Sequence, residues 1–272
     1  MRYLFILLFV PITLSAQFFE SESQIVYGIN LGTHISNNKT GEFYDGFYNS
    51  PYNIDWMLNN SNNSSNNSLV NILDQRLNTN WEMQNTPAQM KYRPGLEVGL
   101  HAGIQKERIK YYIDYNIAEI KAVGEFFFVA ISSNSNLIDR DNILATIVGE
   151  ERRSFFNIGL ISELKSEDEY HLGLPFFFQI NQTKFKNNYL VVENQQYIIP
   201  NPSLTSTNQN NVNQIGSSFG LGTGIIGTIS LNESINLSVA YHFQYSNIKI
   251  TSVFNQSGFQ HSLIARIIWN KE

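Results

Sequence analysis

The sequence predicts an all-β protein whose antiparallel strands close into a transmembrane β-barrel. Three observations lead to this fold: a leader of the signal-peptide type, eight segments in which apolar residues alternate with small or polar ones, and connections that are long and short in turn. In a membrane barrel one face of each strand meets lipid and the other meets the lumen, which produces this alternation. A soluble all-β domain is the alternative fold, and ten strands is the alternative strand count.

The first 16 residues have the pattern of a secretory signal peptide. Arg2 supplies a positive charge, and the apolar run from Leu4 to Leu14 is too short to span a bilayer as a helix. Ser15 and Ala16 are small residues of the kind that precedes cleavage. Residues 17–272 are therefore expected to form the mature barrel.

Composition narrows the possible partners. The net charge is −5 and the chain contains no basic run, which argues against a nucleic-acid partner. The chain has no cysteine, so disulfides and a lipid anchor on cysteine are excluded. Its five histidines are dispersed, and we predict neither a metal site nor a cofactor.

The first four predicted strands have an apolar face opposite a face of small or polar residues. They are QIVYGINLGTH (24–34), GLEVGLHAGIQ (95–105), IKYYIDYNI (109–117) and FFNIGLISEL (155–164). In the first of them, Tyr27 and Ile29 share a face opposite Gly28 and Asn30. Glycines on the polar face suit a crowded lumen better than a solvated surface.

The last four predicted strands repeat the pattern. They are YHLGLPFFFQIN (170–181), SSFGLGTGIIG (217–227), INLSVAYHFQY (235–245) and SLIARIIW (262–269). Pro175 lies in the middle of the first of these, and proline cannot donate to a strand ladder. Since a closed barrel has no edge strand, we expect a bulge or a missing ladder bond at Pro175, with its ring facing the lumen.

The connections between these strands alternate in length. The long ones are the first loop, about residues 37–92, then 119–153, 183–213 and a moderate loop at 246–258, and the short ones are KER, KSEDE and SLNES. Outer-membrane barrels have long extracellular loops and short periplasmic turns, and an even strand number places both termini in the periplasm. Residues 126–131 and 143–148 could form another strand pair. Because Glu119 and Lys121 would then face lipid, we prefer eight strands with an extended hairpin here.

One segment carries a family resemblance. LGLPFFFQI, after a short charged turn and an aromatic residue, resembles the Leu-x-Ile-Pro-Leu-Leu-Leu strand of the PorT-like outer-membrane β-barrel family of Bacteroidota. The signal ending SAQ and the terminal HSLIARIIW are similar to that family as well, and the layout agrees over most of residues 23–269. The resemblance implies a small barrel. The name-giving member takes part in type IX protein secretion, but this chain departs from the family in its long first loop and in its WNKE ending.

Charged and polar residues on the lumen faces are candidates for a functional site. The predicted lumen network contains Glu97, His101, Asp114, Glu163, His171, His242 and Arg266, with Lys110 on the same side. Polar residues inside a narrow barrel must satisfy one another, so we expect Arg266 to donate to Glu163, Asp114 or Glu97. His242 shares a face with Ser238, and His261 precedes Ser262, but neither pair has an acid at a fixed spacing. No catalytic residues are predicted.

The first loop contains a cluster of aromatic residues ahead of the polar tract NNSNNSSNNS. They are Tyr44, Phe47, Tyr48, Tyr52 and Trp56. Two interpretations remain open: a contact surface for a partner or glycan, and a lid that folds over the barrel.

The sequence therefore predicts an integral protein of the cell outer membrane, non-enzymatic and surrounded by outer-membrane lipid. We expect it to bind other envelope proteins through its extracellular loops, as an accessory component of an envelope complex such as a secretion apparatus. A stand-alone surface receptor or adhesin is the first alternative, and a barrel hydrolase is the second.

Overall fold

The computed structural model describes residues 23–47, 50–59, 64–77, 80–131, 142–167, 169–201, 215–250 and 254–271. The predicted signal peptide lies outside these residues. Within them the chain is almost entirely antiparallel sheet, with three short helical segments that all belong to the first loop. No described helix is long and apolar enough to cross a membrane.

Eight long strands form a closed ring, and two short strands are added to it. The strands are β1 (Gln24–Ile35), β2 (Trp81–Gln84), β3 (Lys91–Lys106), β4 (Ile109–Ala130), β5 (Asn142–Glu167), β6 (Tyr170–Val192), β7 (Gln195–Ile198), β8 (Ile215–Ser230), β9 (Ile235–Lys249) and β10 (Asn255–Lys271). The ring follows the order β1, β3, β4, β5, β6, β8, β9, β10 and closes where β10 pairs with β1. Among the strands of the described residues, β2 pairs only with β4, and β7 only with β6. The closed antiparallel barrel of eight strands is thus confirmed.

The outer face of the ring is apolar. Each of the eight strands carries strongly exposed apolar side chains on this face, of which one per strand is Leu31, Leu100, Ile113, Ile158, Phe178, Leu221, Val239 and Ile267. The neighbouring residues face the lumen and are buried, although many are polar. A soluble monomer rarely exposes an apolar surface of this extent, whereas a barrel in lipid requires it. The soluble alternative is therefore wrong, and the chain is a transmembrane β-barrel.

Several strands continue beyond the predicted loop boundaries. β4 and β5 pair without a break from Ile109 and Ser162 at the periplasmic end up to Val129 and Asn142. This confirms the extended hairpin that was predicted around residues 126–131 and 143–148. β6 continues to Val192 and turns back into β7, so the expectation that 183–213 is all loop is wrong over this stretch. These strands remain regular above the lipid because they pair with one another and so satisfy their backbone groups.

Pro175 marks a gap in one ladder. β6 pairs with β8 at Gly173 and again at Phe176, in the same register, but not at the two residues between them. Pro175 itself is buried on the lumen side, and Phe176 is 48% exposed on the outside. The predicted missing ladder bond and face assignment are confirmed, and no bulge is needed between β6 and β8.

A folded cap closes the extracellular end of the barrel. It contains a 3-10 helix (Asn38–Tyr44) and two α-helices (Ile54–Asn59 and Ser64–Leu77). Its buried apolar residues form one cluster with inward residues of the extended strands, such as Phe126 and Ile147. The cap therefore fills the mouth of the barrel and shares a core with the extended strands.

The aromatic cluster of the first loop belongs to this core. Tyr44, Phe47 and Tyr52 are at most 6% exposed, Trp56 is half-buried, and Tyr48 lies outside the described residues. Tyr44 packs on Gly149, where any Cβ would overlap its ring. The contact-surface interpretation is therefore wrong for the three buried residues. They form the lid instead, because burying aromatic rings against the strand extensions removes a large apolar area from water.

Candidate functional site

The centre of the lumen is held together by one buried arginine. Arg266 Nη2 donates to Asp114 Oδ2 at 2.8 Å, and its Nε donates to Asn30 Oδ1 at 2.7 Å. His101 Nδ1 lies 2.7 Å from the other oxygen of Asp114. All four residues are at most 3% exposed. Of the three carboxylates expected to accept from Arg266, Asp114 is the one in contact.

The network continues upward through amides. Asn30 donates to Asn116 Oδ1 at 2.8 Å, and Asn116 donates to Glu97 Oε1 at 2.8 Å. His34 lies next to this carboxylate, with its Nδ1 3.8 Å from Glu97 Oε2. The Nε2 atom of His34 is 3.0 Å from Gln260 Oε1. Gln260 also belongs to a second charged centre.

That second centre lies under the cap and was not among the predicted site residues. Arg153 Nε donates to Glu151 Oε1 at 2.6 Å, and its Nη1 donates to Gln260 Oε1 at 2.7 Å. Tyr44 donates its hydroxyl to Glu151 Oε2 at 2.7 Å, and Tyr92 donates to Oε1 at 3.2 Å. Burial, followed by the Glu151 carboxylate, raises the pKa of Tyr44 well above its ordinary value. The cap is thus tied to the barrel through hydrogen bonds to one buried carboxylate.

A sequence signal for this centre did exist. Glu151 and Arg153 continue the inward face of the predicted fourth strand, four and two residues before Phe155. The assignment of 119–153 to a loop excluded them from the lumen. Extending the alternation towards the loop would have found both residues.

His242 lies in the lumen as predicted, but it packs mainly against an aromatic ring. Its ring centroid is 5.0 Å from that of Phe177. Phe177 belongs to a small apolar layer with Tyr112, Ile161 and Ile226. This layer lies between the arginine network and the periplasmic end, so apolar side chains close the lower part of the lumen.

Glu163 and His171 lie apart from the buried network, which corrects the prediction for these two residues. They line an open cavity of about 310 Å³ at the periplasmic mouth, together with Lys110. His171 Nδ1 is 3.7 Å from Glu163 Oε1, and their side chains are 32% and 18% exposed. At this end of the strands the side chains of Glu163 and His171 are partly exposed, unlike those of the Arg266 network.

The serine–histidine contacts do not have the geometry of a catalytic triad. In a triad the nucleophile and the acid contact different nitrogens of the histidine ring. Here Ser166 Oγ and Glu163 both approach Nδ1 of His171. Ser262 likewise contacts Nδ1 of His34, while Nε2 of that ring contacts an amide oxygen. Among the described residues there is also no group of three or more metal-binding side chains.

Comparisons with known proteins give only distant likenesses. No protein-family model matches the chain, and no curated protein matches it. Among solved structures it is similar to Neisserial surface protein A, with a TM-score of 0.44 and 8% identity over 92% of this chain and 99% of that one. It is also similar to Ail, the attachment invasion locus protein of Yersinia pestis, with a TM-score of 0.31 and 8% identity over 92% and 97% of the two chains.

Because these likenesses are so distant, the chain's own geometry must decide its class. An even number of antiparallel strands, an apolar outer belt, a polar interior and short turns at one end are the properties of outer-membrane barrels. All four are present in the described residues. The chain is an outer-membrane β-barrel protein.

Proposed function

We propose that this barrel is a non-enzymatic accessory protein that binds a partner of the cell envelope through its extracellular part. One observation carries the proposal: the lumen is filled by the Arg266 and Arg153 networks and covered by the cap. A small barrel filled by side chains offers no path for a solute. The surface left for recognition is the part of the protein above the membrane.

The extended strands provide a contact surface in place of the buried aromatic residues. β2, β4, β5, β6 and β7 form a sheet above the lipid belt. Its exposed apolar residues include Leu144, 47% exposed, and Ile198, 71% exposed. Apolar groups that remain exposed outside the membrane are typical of interaction sites. The Ser–His contacts, in which nucleophile and acid compete for one nitrogen, argue against the hydrolase alternative.

A mild-detergent pull-down of the tagged native protein tests the proposal. We expect a small set of stoichiometric envelope proteins, which Leu144→Asp/Ile198→Asp should release. The control Asn142→Asp/Gln195→Asp adds the same charge at exposed polar positions of the same sheet and should retain them. If no protein partner is captured while the surface of intact cells binds an external ligand, the stand-alone receptor or adhesin is the better description.

The finer proposal is that the partner belongs to a secretion apparatus and that the chain is PorT-like. Its only support is the resemblance of LGLPFFFQI and of the terminal strand to that family. In a strain that lacks this protein, we expect export through the type IX apparatus to fail. Normal export would leave the accessory role standing and remove the secretion role.

A further inference from the structure

The charges on the outer face of the barrel are unevenly distributed. Above the apolar belt, β3 to β6 present six outward basic residues. Apart from Lys91, which lies higher up together with the outward Glu125, they form what we call the basic patch: Arg93, Lys121, Arg152, Lys184 and Lys186. Two outward carboxylates, Glu119 and Glu150, lie among them. Over the described residues of β1, β8, β9 and β10, the outer face above the belt carries a single charge, Lys249. Charges that served only to improve solubility would have no reason to be confined to one side of the barrel.

Within the basic patch, like charges stand directly opposite each other. Arg93 is the cross-strand partner of Lys121, and Arg152 is the partner of Lys184. Directly opposed side chains on one face have Cβ atoms about 5 Å apart, and like charges in such pairs are destabilising. Two such pairs side by side form a site where an anion would remove the repulsion.

The two carboxylates neutralise only part of this charge. Glu119 accepts from Arg152 at 2.6 Å and from Lys186 at 2.7 Å, and Glu150 accepts from Lys121 at 2.7 Å. Hydrogen bonds from Lys186 and Arg152 hold the pKa of Glu119 below its ordinary value, so this carboxylate is already ionised and occupied. In the part of the chain that the structure describes, the side chains of Arg93 and Lys184 make no hydrogen bond or ion pair. The patch therefore keeps an excess of three positive charges.

The position of the patch indicates which anion can reach it. On β4 the first outward charge follows Ile117 by two residues, and on β6 it follows Ile180 by four. A lipid whose acyl chains pack on Ile117, Phe156 and Ile180 would bring its headgroup to the patch. Lipid phosphates lie at this depth, and arginine and lysine are the side chains that bind phosphate.

We propose that the basic patch binds the phosphate of an anionic membrane lipid in the leaflet on the extracellular side. This inference rests on the outer-membrane location and adds a specific lipid partner on one side of the barrel. Arg93 and Lys184, three strands apart on β3 and β6, attract the phosphate from the two sides of the patch, and Lys121 and Arg152 lie between them. The lipid would thereby relieve the repulsion within each pair.

Native mass spectrometry of the folded full chain in detergent tests the proposal. The probes are phosphatidylglycerol and phosphatidylcholine with the same acyl chains, since choline cancels the phosphate charge of the second lipid. We expect a preference for phosphatidylglycerol that falls roughly fivefold for each basic residue removed, and so roughly twenty-five-fold in Arg93→Gln/Lys184→Gln. The control Lys39→Gln/Arg76→Gln removes the same charge from the cap and should retain the preference.

The outcomes separate this inference from the proposed location. The lipid site is overturned if the wild type binds both lipids with equal affinity. It is also overturned if the preference is undiminished in Arg93→Gln/Lys184→Gln. Neither result affects the assignment of the chain as an outer-membrane barrel. Failure of the wild type to insert into vesicles, read from the absence of a heat-modifiable gel band, overturns the location itself. Because the side chains of Arg93 and Lys184 make no hydrogen bond or ion pair in the described structure, their replacement leaves the ion pairs of Glu119 and Glu150 in place.

Discussion

At the scale of single residues, the lumen shows how charge is tolerated inside a narrow barrel. Arg266 and Asp114 are both buried, and each forms additional hydrogen bonds that replace those lost with water. A buried pair of this kind contributes little net stability compared with an apolar pair of similar volume, but removing one partner leaves a buried charge. The prediction from this pair therefore concerns the loss of one member.

Replacing Arg266 by leucine should leave the Asp114 carboxylate without its main counter-charge. We expect the free energy of unfolding to fall by about 3–5 kcal/mol. Denaturant titration of the refolded barrel in detergent measures this change. The control Arg76→Leu breaks the exposed pair with Glu193 and should cost about 0–1 kcal/mol. Equal losses in the two variants would mean that Arg266 is effectively solvated.

At the scale of a strand, β6 shows how depth in the membrane determines what a position tolerates. Its outward residues run from Tyr170 through Phe176 and Ile180 to the basic patch at Lys184. All of them lie on the same face of one strand. They differ in whether lipid chains or headgroups lie beside them, and that difference can be measured.

A charge at the middle of this strand should impair assembly more than the same charge at its upper end. Phe176→Arg places a cation against lipid chains and should cost about 2–4 kcal/mol, whereas Gln182→Arg lies near the headgroups and should cost about 0–1 kcal/mol. The folded fraction after refolding into vesicles, read from the heat-modifiable band, measures both. Equal folding of the two variants would place Phe176 outside the lipid. Gln179 is a poorer control because its side chain is packed in the lumen against Gln244 at 2.7 Å.

At the scale of the whole molecule, the two ends of the barrel differ in kind. One end has the cap and the extended sheet, and the other has connections of two to four residues and an open cavity of about 310 Å³. A tag inserted at Ser64 should therefore be labelled on intact cells, because the helix that starts there belongs to the cap. A tag after Glu167 should be labelled only after the cells are permeabilised. The reverse pattern would invert the topology.

A second prediction for the whole molecule follows from the filled lumen. The purified barrel in a planar bilayer should produce no conductance steps, because two side-chain networks, an apolar layer and the cap lie in series along its axis. A porin with an open lumen, measured in the same bilayer, is the positive control. Steady conductance from the wild type would show that the interior is a path and would contradict the accessory role.

The class of fold, the number of strands in the ring and the face of each strand could be predicted from the amino-acid sequence alone. This was possible because lipid on one side and a crowded lumen on the other impose a period of two on local sequence. For the same reason Arg266, Asp114, His101 and Glu97 were recognisable as lumen residues.

Which of these residues contact one another, and what the first loop does, depend on contacts between residues that are far apart in the chain. Arg266 and Asp114 are 152 positions apart, and Tyr44 and Glu151 are 107 apart, so barrel closure and the docking of the cap bring them together. The aromatic residues of the first loop have no regular period, and a buried lid and an exposed contact surface have the same composition. The cross-strand pairs Arg93–Lys121 and Arg152–Lys184 also depend on register, because a shift of one residue would turn one partner of each pair to the other face.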